Sequence, residues 1–381
     1  MGESGEFESA LGYRLRSIDS QRYRENTETV LRELWTWLRR ERGVDRLGDV
    51  DELDCRRWVQ GYLRGRVQGE QGPLNYEASD DAQLSPASAH TYFNIARAFF
   101  SWCVDDQRID TNPMRAAGVR EELPDDTGEP DRQFWSPEAR EALLSHVDRR
   151  AHDALEDERA DHRRAFRDRV VAYLLADTGA RGAELFAVSG DEDRDGVTWA
   201  DVDLAAGTIR VLGKSREPET VALPSTTAAK VDRYRRVVDP ASENWPVVPT
   251  GDAATKGRAL RAVLANRGWG DAEVEEALKE ADGVDVALRE HDVAPPALTT
   301  EGARRVMKRL CDAANVAVDG EYLKPHGGRR GLGHRLYTEV SAEKAQELLR
   351  HRSIETTNES YREAQTSELS RDVDDLLYGE D

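Results

Sequence analysis

Several residue types are scarce in this chain, and each scarcity excludes a class of protein. Only three of the 381 residues are cysteine, at positions 55, 103 and 311. They are far apart and lack the spacing of metal ligands, so they predict reduced side chains in a cytoplasmic protein. The longest apolar run, Val170–Ala176, is far shorter than the roughly 18 residues of a membrane span. The acidic beginning of the sequence also lacks the apolar core of a signal peptide.

The sequence carries no pattern that indicates a cofactor or a metal ion. It has no Gly-x-x-x-x-Gly-Lys-Ser/Thr loop, which argues against the use of ATP. Its acidic clusters are too dispersed for the paired metal ions of a nuclease. Three histidines, His146, His152 and His162, lie around one predicted helix without a set of further ligands. We therefore expect neither a cofactor nor a metal.

The charge balance is strongly acidic, and lysine contributes little to it. The chain has 74 acidic and 54 basic residues, a net charge of −20, and only seven of the basic residues are lysine. An acidic, arginine-rich composition is typical of proteins adapted to a salt-rich cytoplasm, where a strongly hydrated surface keeps them in solution. This halophile hypothesis predicts poor folding and activity at low salt, and optimal behaviour there would contradict it.

Acidic and basic residues are segregated along the chain. Residues 13–66 have 13 arginines against 10 acids, and residues 301–335 have eight basic residues against four acids. By contrast, residues 271–292 have nine acids against two bases, and acids also dominate 121–131 and 368–381. Because cations are needed to contact phosphates, we expect any contacts with nucleic acid in the two segments with a basic excess.

The first third of the chain is predicted to be a helical domain at 13–119, after a mobile leader at 1–12. Apolar residues recur there at the three-and-four spacing of helices buried on one face, and Ser-Pro is a common helix start. The predicted helices run from Ser20 to Gly43, over 54–66, and from Ser85-Pro86 onward, with a polar loop at 69–84.

The remainder is predicted to be an acidic linker at 120–135, a mixed domain at 136–364 and an acidic tail at 365–381. The overall class is mostly α with a small antiparallel sheet. An acidic insertion at 191–195 and a charged, partly helical insert at 253–290 interrupt the pattern. The predicted elements are helices capped by Ser136, Thr300 and Ser341, a helix at 166–177, and strands at 197–202, 208–212 and 219–223, with a hairpin tip at 213–218.

The segment 323–361 contains the residues that point most directly to a function. His326 and Arg329 are three apart, so on a helix they face the same side. His351 follows, and Tyr361 comes ten residues later. Arginine offers a planar fork that holds two phosphate oxygens, and a tyrosine can attack phosphorus. The pattern therefore predicts a cationic phosphate site with a nucleophile at its edge.

A matching segment lies far upstream, at Asp177–Leu185, and contains Arg181. Taken together, the two segments resemble the active-site motifs of the tyrosine recombinases, the phage integrase family. The resemblance covers residues 20–364. It implies a helical core-binding domain and a mixed α/β catalytic domain that grip duplex DNA between them, mostly through phosphates.

The resemblance also implies a role for each residue. Tyr361 would attack the scissile phosphate and form a 3′-phosphotyrosyl link, with a base such as His326 helping to remove its proton. Lys214, at the predicted hairpin tip, would protonate the departing 5′ oxygen. The residues that would hold the phosphate are Arg181, Arg329 and His351.

Some positions depart from the family pattern or compete with it. Gly327 and Gly328 stand where the family has bulkier residues, which leaves open how that helix packs, and Arg330 stands where many members have a second histidine. Arg216 competes with Lys214 for the acid position. A second C-terminal tyrosine, Tyr378, has no adjacent motif that supports it as the nucleophile.

The expected function is site-specific cutting and rejoining of double-stranded DNA, by a homotetramer on two DNA sites and with accessory DNA-bending proteins allowed. Bond energy is conserved through the phosphotyrosine, so no metal or nucleotide is needed. Three alternatives stay open. They are a type IB topoisomerase-like enzyme that relaxes supercoils, an inactive DNA-binding regulator on an integrase scaffold, and a helical scaffold protein that does not bind DNA.

Overall fold

The computed structural model describes residues 5–18, 20–69, 83–125, 133–157, 161–358 and 361. By its internal contacts the chain separates into two compact units, Met1–Asp131 and Arg132–Asp381. The predicted fold class is confirmed, since helices dominate and the one named sheet of the described residues is small and antiparallel. Within those same residues no helix is both long enough and apolar enough to cross a membrane.

Helices are the regular elements of the first unit in its described residues. The helix predicted from Ser20 begins there, where the serine hydroxyl accepts a hydrogen bond from the Tyr23 amide, and the chain turns at Gly43 with a φ of +68°. Ser85 caps its helix in the same way, with proline at the first helical position. The helices are α1 Gly5–Arg16, α2 Gln21–Trp37, α3 Glu52–Trp58, α4 Arg64–Gln68, α5 Pro86–Asp105 and α6 Ala117–Arg120, with π-helical turns at Leu38–Arg42 and Val59–Leu63.

The expectation of a mobile leader at 1–12 is wrong for residues 5–12. They form most of α1, whose Phe7, Ala10 and Leu11 are buried. The Phe7 ring stacks on Trp35 with 4.7 Å between ring centroids. The sequence does not predict this helix, because acidic and small residues surround its short apolar face. Burial of that face against α2 and α5 stabilises the helix. Residues 1–4 lie outside the described part of the chain.

Three further predictions fall wholly or partly outside the described residues. Residues 70–82 of the predicted loop at 69–84 are outside, and so are 126–132 of the predicted linker at 120–135. The predicted acidic tail at 365–381 is outside altogether.

The second unit combines helices with a three-stranded antiparallel sheet in the order β1-β2-β3. Its strands are β1 Val202–Asp203, β2 Thr208–Leu212 and β3 Pro218–Ala222. Its helices are α7 Pro137–Glu156, α8 His162–Asp177, α9 Gly182–Leu185, α10 Ser225–Val238, α11 Ala253–Asn266, α12 Asp271–Glu280, α13 Val284–Glu290, α14 Thr300–Ala314, α15 Pro325–Glu339 and α16 Ala342–Leu349.

The sequence predicted most of these bounds, with local corrections. Strand β2 has the predicted limits, and β3 begins and ends one residue earlier than expected. The strand expected at 197–202 is wrong, because Trp199–Asp201 forms a 3₁₀ turn and leaves β1 with two residues. The Asp201 carboxylate accepts from both the amide and the hydroxyl of Thr198, which closes the turn. Helix α14 is capped by Thr299 rather than by Thr300.

Helix α8 is the centre of the second unit and packs against α7, α10 and α15. The apolar run Val170–Ala176 is buried in it. The insert at 253–290 forms α11, α12 and α13 around a small core of its own, made by Leu260, Leu264, Val274, Ala287, Leu288 and Val293. The main core of the unit therefore lies under α8, and this helix positions the residues that follow it.

A buried ion cluster ties α8 to its neighbours. The Asp168 side chain is 0 % exposed and accepts from Arg150 of α7 at 2.6 Å, Arg167 at 3.0 Å and Arg309 of α14 at 2.7 Å. Burial alone would raise the pKa of Asp168, but the three guanidinium groups lower it below its ordinary value. The carboxylate is therefore ionised and joins three helices.

We expect Asp168→Asn to lower the free energy of unfolding of this unit by about 3–5 kcal/mol, because it removes a buried charge and leaves three partly buried guanidinium groups without their shared counter-charge. The control is Asp232→Asn, whose pair with Arg236 is on the surface and should be worth about 0.5 kcal/mol or less. Urea unfolding of the full chain measures both. Equal effects of the two substitutions would contradict the structural role of Asp168.

Candidate active site

Arg181 is presented by a tight turn after α8. Gly179 has a φ of +63°, a conformation that favours glycine, and its Cα faces Leu348. The Thr178 hydroxyl donates to the Leu174 carbonyl at 2.7 Å and accepts from the Ala180 amide at 3.2 Å. These bonds turn the chain sharply, so that Arg181 comes directly before α9.

Glu184 holds Arg181 in place. Its carboxylate accepts from the Arg181 amide at 2.8 Å and from the Arg181 guanidinium at 2.7 Å. It also accepts from Arg350 at 2.5 Å. Glu184 is 4 % exposed. Burial raises its pKa, but the amide of Arg181 and the charges of Arg350 and Arg181 outweigh that effect, so the pKa is lowered overall.

Arg329 is the most deeply buried cation of the site, at 3 % exposure. Its guanidinium donates to the carbonyls of Gly179 and Leu349, which fix its orientation. Burial, and then the nearby charge of Arg181, lower the pKa of Arg329 to about 10. The group stays protonated at neutral pH, so a full positive charge is held in a poorly solvated place.

The glycines of α15 explain how this helix comes so close to its neighbours. A Cβ on Gly327 would collide with the Trp135 ring, one on Gly328 with the Leu175 carbonyl, and one on Gly331 with the Trp135 backbone. The departure from bulkier residues at 327 and 328 therefore matches a close approach of α15 to α8 and to Trp135. This packing carries Arg329 into the interior.

The two histidines approach the site from different elements. His326 lies in the first turn of α15, and His351 follows α16 after Arg350, whose φ is +53°. The His351 Nδ1 is 2.8 Å from the Thr357 hydroxyl. Loss of solvation, followed by the charges of nearby arginines, lowers the pKa of both imidazoles to about 4. Both rings are therefore neutral at pH 7.

Tyr361 is 2 % exposed and packs in an aromatic group. Its ring lies 5.5 Å from Tyr337 and 6.2 Å from both Phe134 and His334, centroid to centroid. Its hydroxyl lies against Gly333, where any Cβ would overlap it. Burial raises the pKa of Tyr361 to about 12, although Arg329 and Arg330 act to lower it. In the free protein, burial therefore outweighs the surrounding cations.

Lys214 lies at the tip of the hairpin between β2 and β3, with its side chain exposed. Arg216, its competitor for the acid position, is directed elsewhere. Arg216 donates to Asp191 at 3.0 Å and also to Asp193. The geometry therefore favours Lys214 as the cation of the hairpin that faces the site.

A single cleft of about 540 Å³ brings these residues together. All six residues singled out from the sequence line it, and so do Phe134 and Arg330. Among the described residues, no group of histidine, cysteine and acidic side chains is arranged to hold a metal ion. The lining residues are Phe134, Arg181, Lys214, His326, Arg329, Arg330, His351 and Tyr361.

Residues 149–368 match the sequence profile described as the phage integrase family. The chain belongs to the phage integrase family. It is 27% identical over 153 residues to tyrosine recombinase XerC of Xanthomonas campestris pv. campestris strain B100, and to XerC of strain 8004 over the same length. That match covers 40% of this chain and 39% of each relative.

Solved structures of integrases share the fold of this family member. The lambda integrase (75–356) dimer bound to a COC′ core site matches with a TM-score of 0.53 at 14% identity, over 93% of this chain and 94% of that one. The Tn1549 transposon integrase in complex with a circular intermediate DNA matches with a TM-score of 0.57 at 16% identity, over 97% and 99%. At such low identity the likeness establishes the fold.

Sequence reasoning missed the residues that support the site of this integrase-family chain. From the sequence, Glu184 is only one residue of the Asp177–Leu185 motif, and no pattern predicts a function for Arg350 or Thr357. The signal for Glu184 was present, since an acid three residues after Arg181 can close back on the start of a helix. No local signal could have connected Arg350 to Glu184, because 166 residues separate them.

The neutral imidazoles predict a pH dependence of stability. The unfolded chain binds protons at an ordinary pKa of about 6.5, and the folded cleft only near pH 4. Their contribution to stability is therefore complete above pH 6.5 and is lost as the pH falls towards 4. We expect His351→Gln to make the decline of the melting temperature over this interval shallower.

Melting curves at a series of pH values measure this slope, and His152→Gln is the matched control. The His152 side chain is 72 % exposed and pairs only with Glu156 on the surface of α7. Its replacement should leave the slope unchanged. Parallel curves for the wild-type protein and His351→Gln would show that the His351 ring is not held neutral by the cleft.

Proposed function

We propose that this protein is a site-specific DNA recombinase that cleaves and rejoins duplex DNA through a 3′-phosphotyrosine. One observation carries the proposal. A buried tyrosine, three guanidinium groups, two neutral imidazoles and a lysine from separate parts of the chain line one cleft. These are the groups that phosphodiester cleavage without a metal requires, namely a nucleophile, donors for the non-bridging oxygens and an acid for the leaving group.

The phosphate would be held chiefly by Arg181 and Arg329. The Arg329 guanidinium uses nitrogens on backbone carbonyls and the Arg181 guanidinium uses one on Glu184, so both planes are fixed before DNA arrives. Preorganised donors in a poorly solvated cleft stabilise the charge that develops in the transition state at little reorganisation cost. His351 would add a donor from Nε2 if the Thr357 hydroxyl donates to its Nδ1.

In the cleavage step the Tyr361 oxygen forms a bond to phosphorus while the bond from phosphorus to the 5′ oxygen breaks. The proton of the phenol passes to neutral His326, which has a free lone pair at pH 7 because its pKa is about 4. The Lys214 ammonium gives a proton to the departing 5′ oxygen. In the reverse step a 5′ hydroxyl attacks the phosphotyrosine and reseals a strand.

Double-stranded DNA is the proposed partner. The Tn1549 integrase was solved in complex with a circular intermediate DNA, and the lambda integrase bound to a COC′ core site. The cleft of this chain is lined by four cations and no carboxylate. We also propose a homotetramer on two DNA sites, with the first unit adding phosphate contacts through its 13 arginines at 13–66. No observation specifically favours the topoisomerase-like, regulatory or scaffold alternatives.

We expect Tyr361→Phe to abolish covalent capture of DNA, because it removes the attacking oxygen. The probe is a pool of nicked duplexes with a randomised segment, from which the wild-type protein selects a target that remains attached after denaturation. Tyr337→Phe is the matched control, since its hydroxyl bonds Asn358 at 2.9 Å while its ring touches Tyr361. A second control, Tyr378→Phe, tests the other C-terminal tyrosine. Undiminished capture by Tyr361→Phe would reject the assignment.

We expect Lys214→Ala to slow cleavage of the selected duplex by about a hundredfold, the usual contribution of a positioned acid. A duplex with sulfur in place of the bridging 5′ oxygen should restore the rate, because a thiolate leaves without a proton. Lys344→Ala removes an exposed lysine on α16 and should cleave both duplexes normally. A variant of Lys214 that stays slow on the sulfur duplex would argue against the acid role.

A further inference from the structure

The hairpin that carries Lys214 has a supporting structure of its own. A two-stranded hairpin tip is ordinarily mobile, since its backbone groups face solvent. Here the Gly213 amide donates to the Glu217 carbonyl at 2.8 Å, and Arg216 closes the turn with a φ of +61°. The bonds within the tip fix its shape but not its place relative to the cleft.

Arg194, from the acidic insertion at 191–195, fixes that place. Its guanidinium donates to the Leu212 carbonyl at 2.8 Å and to the Gly213 carbonyl at 2.6 Å, the two residues directly before Lys214. It also donates to the Ala183 carbonyl at 3.0 Å, in the helix that follows Arg181. The Arg194 side chain is only 12 % exposed. One guanidinium thus connects the hairpin to α9.

Asp191 contacts both Arg194 and Arg216, which lies on the far side of the hairpin tip. Its carboxylate is 11 % exposed, lies 3.7 Å from Arg194 Nε and accepts from Arg216 at 3.0 Å. The insertion is itself a closed turn, because the Val188 amide donates to the Arg194 carbonyl at 2.8 Å and the Arg194 amide to the Asp191 carbonyl at 3.1 Å. The acidic insertion is therefore a closed turn whose Asp191 and Arg194 support the hairpin.

The other side of the hairpin is held differently. The Glu219 side chain fills the space beside Gly213 and accepts from Arg350 at 2.7 Å. Since Arg350 also bonds Glu184, this contact is part of the network that fixes Arg181. Loss of Glu219 would disturb phosphate binding as well as the hairpin. Arg194, by contrast, donates to backbone carbonyls and pairs with Asp191, and it has no hydrogen bond to Glu184 or Arg350 among the described residues. Its loss should therefore affect the hairpin more than the phosphate-binding arginines.

We infer that Arg194, held by Asp191, is a positioning residue that keeps Lys214 within reach of the leaving 5′ oxygen. The inference rests on the proposed function. It assigns the insertion to one half of the cleavage step, the transfer of a proton from the Lys214 ammonium to the 5′ oxygen as the bond to phosphorus breaks. Formation of the bond between Tyr361 and phosphorus does not depend on it.

The test compares two substrates with the same variant of the full-length protein. We expect Arg194→Ala to cleave the selected phosphodiester duplex about ten- to a hundredfold more slowly than the wild-type protein, as expected for a displaced catalytic group. On the duplex with bridging sulfur its rate should equal that of the wild-type protein. Arg194→Lys, which keeps a donor near the carbonyls, should lie between the two. A purely structural defect would slow both substrates alike.

Arg210→Ala is the matched control, because Arg210 is an exposed arginine of β2, the strand that leads into the hairpin, and it bonds Asp201 at 2.8 Å, away from the tip. Melting temperatures check that each variant folds. If Arg194→Ala does not fold, Asp191→Asn and Arg216→Gln weaken the same support, and they should show the same difference between substrates.

Equal rates for wild type and Arg194→Ala on the phosphodiester, or an equal loss on both duplexes, would overturn the inference. Failure of the proposed function looks different, since the wild-type protein itself would then form no adduct with any duplex. The result for the wild-type protein alone therefore distinguishes the two failures.

Discussion

The site depends on one buried carboxylate. Glu184 lies between Arg181 and Arg350 and accepts from both, and Arg329 is held next to them by backbone carbonyls. Guanidinium groups this close repel one another, and burial adds the loss of their hydration. One carboxylate, with Glu219 on the far side of Arg350, offsets part of that repulsion. The remaining positive charge is what a phosphate would neutralise.

The same charge controls the other groups of the cleft. Together with the loss of solvation, it lowers the pKa of His326 and His351 to about 4, so that both rings are neutral at ordinary pH and offer a lone pair to a proton. It does not by itself ionise Tyr361, because burial raises the pKa of that phenol to about 12. A bound phosphate would bring negative charge next to the imidazoles and raise their proton affinity. In the proposed reaction, substrate binding would thus be coupled through His326 to proton removal from Tyr361.

Local patterns predicted several helix starts, strand β2 and six of the residues that line the cleft, because caps, alternation and motif spacing are short-range properties. They failed where a competing local hydrogen bond or a contact with a distant residue determines the structure. The Thr198–Asp201 turn displaced a strand that its apolar residues favoured. Helix α1 is stabilised by the stacking of Phe7 on Trp35, and no pattern within residues 1–12 predicts that contact.

Local sequence patterns also could not predict the role of the acidic insertion at 191–195. Its composition indicated only an acidic insertion, yet Asp191 and Arg194 bind a hairpin some twenty residues away. The packing of α15 is similar, since Gly327 and Gly328 depart from a familiar pattern in order to fit Trp135 and Leu175. Such features become visible only when both sides of a contact are known.

The most direct test of the account is a crystal structure of the full chain with tungstate, a heavy mimic of phosphate. The account predicts a tungsten peak in the cleft, within hydrogen-bond distance of the Arg181 and Arg329 guanidinium groups and beside the Tyr361 oxygen. Tungstate bound only at exposed arginines such as Arg163 and Arg164, with none in the cleft, would contradict it.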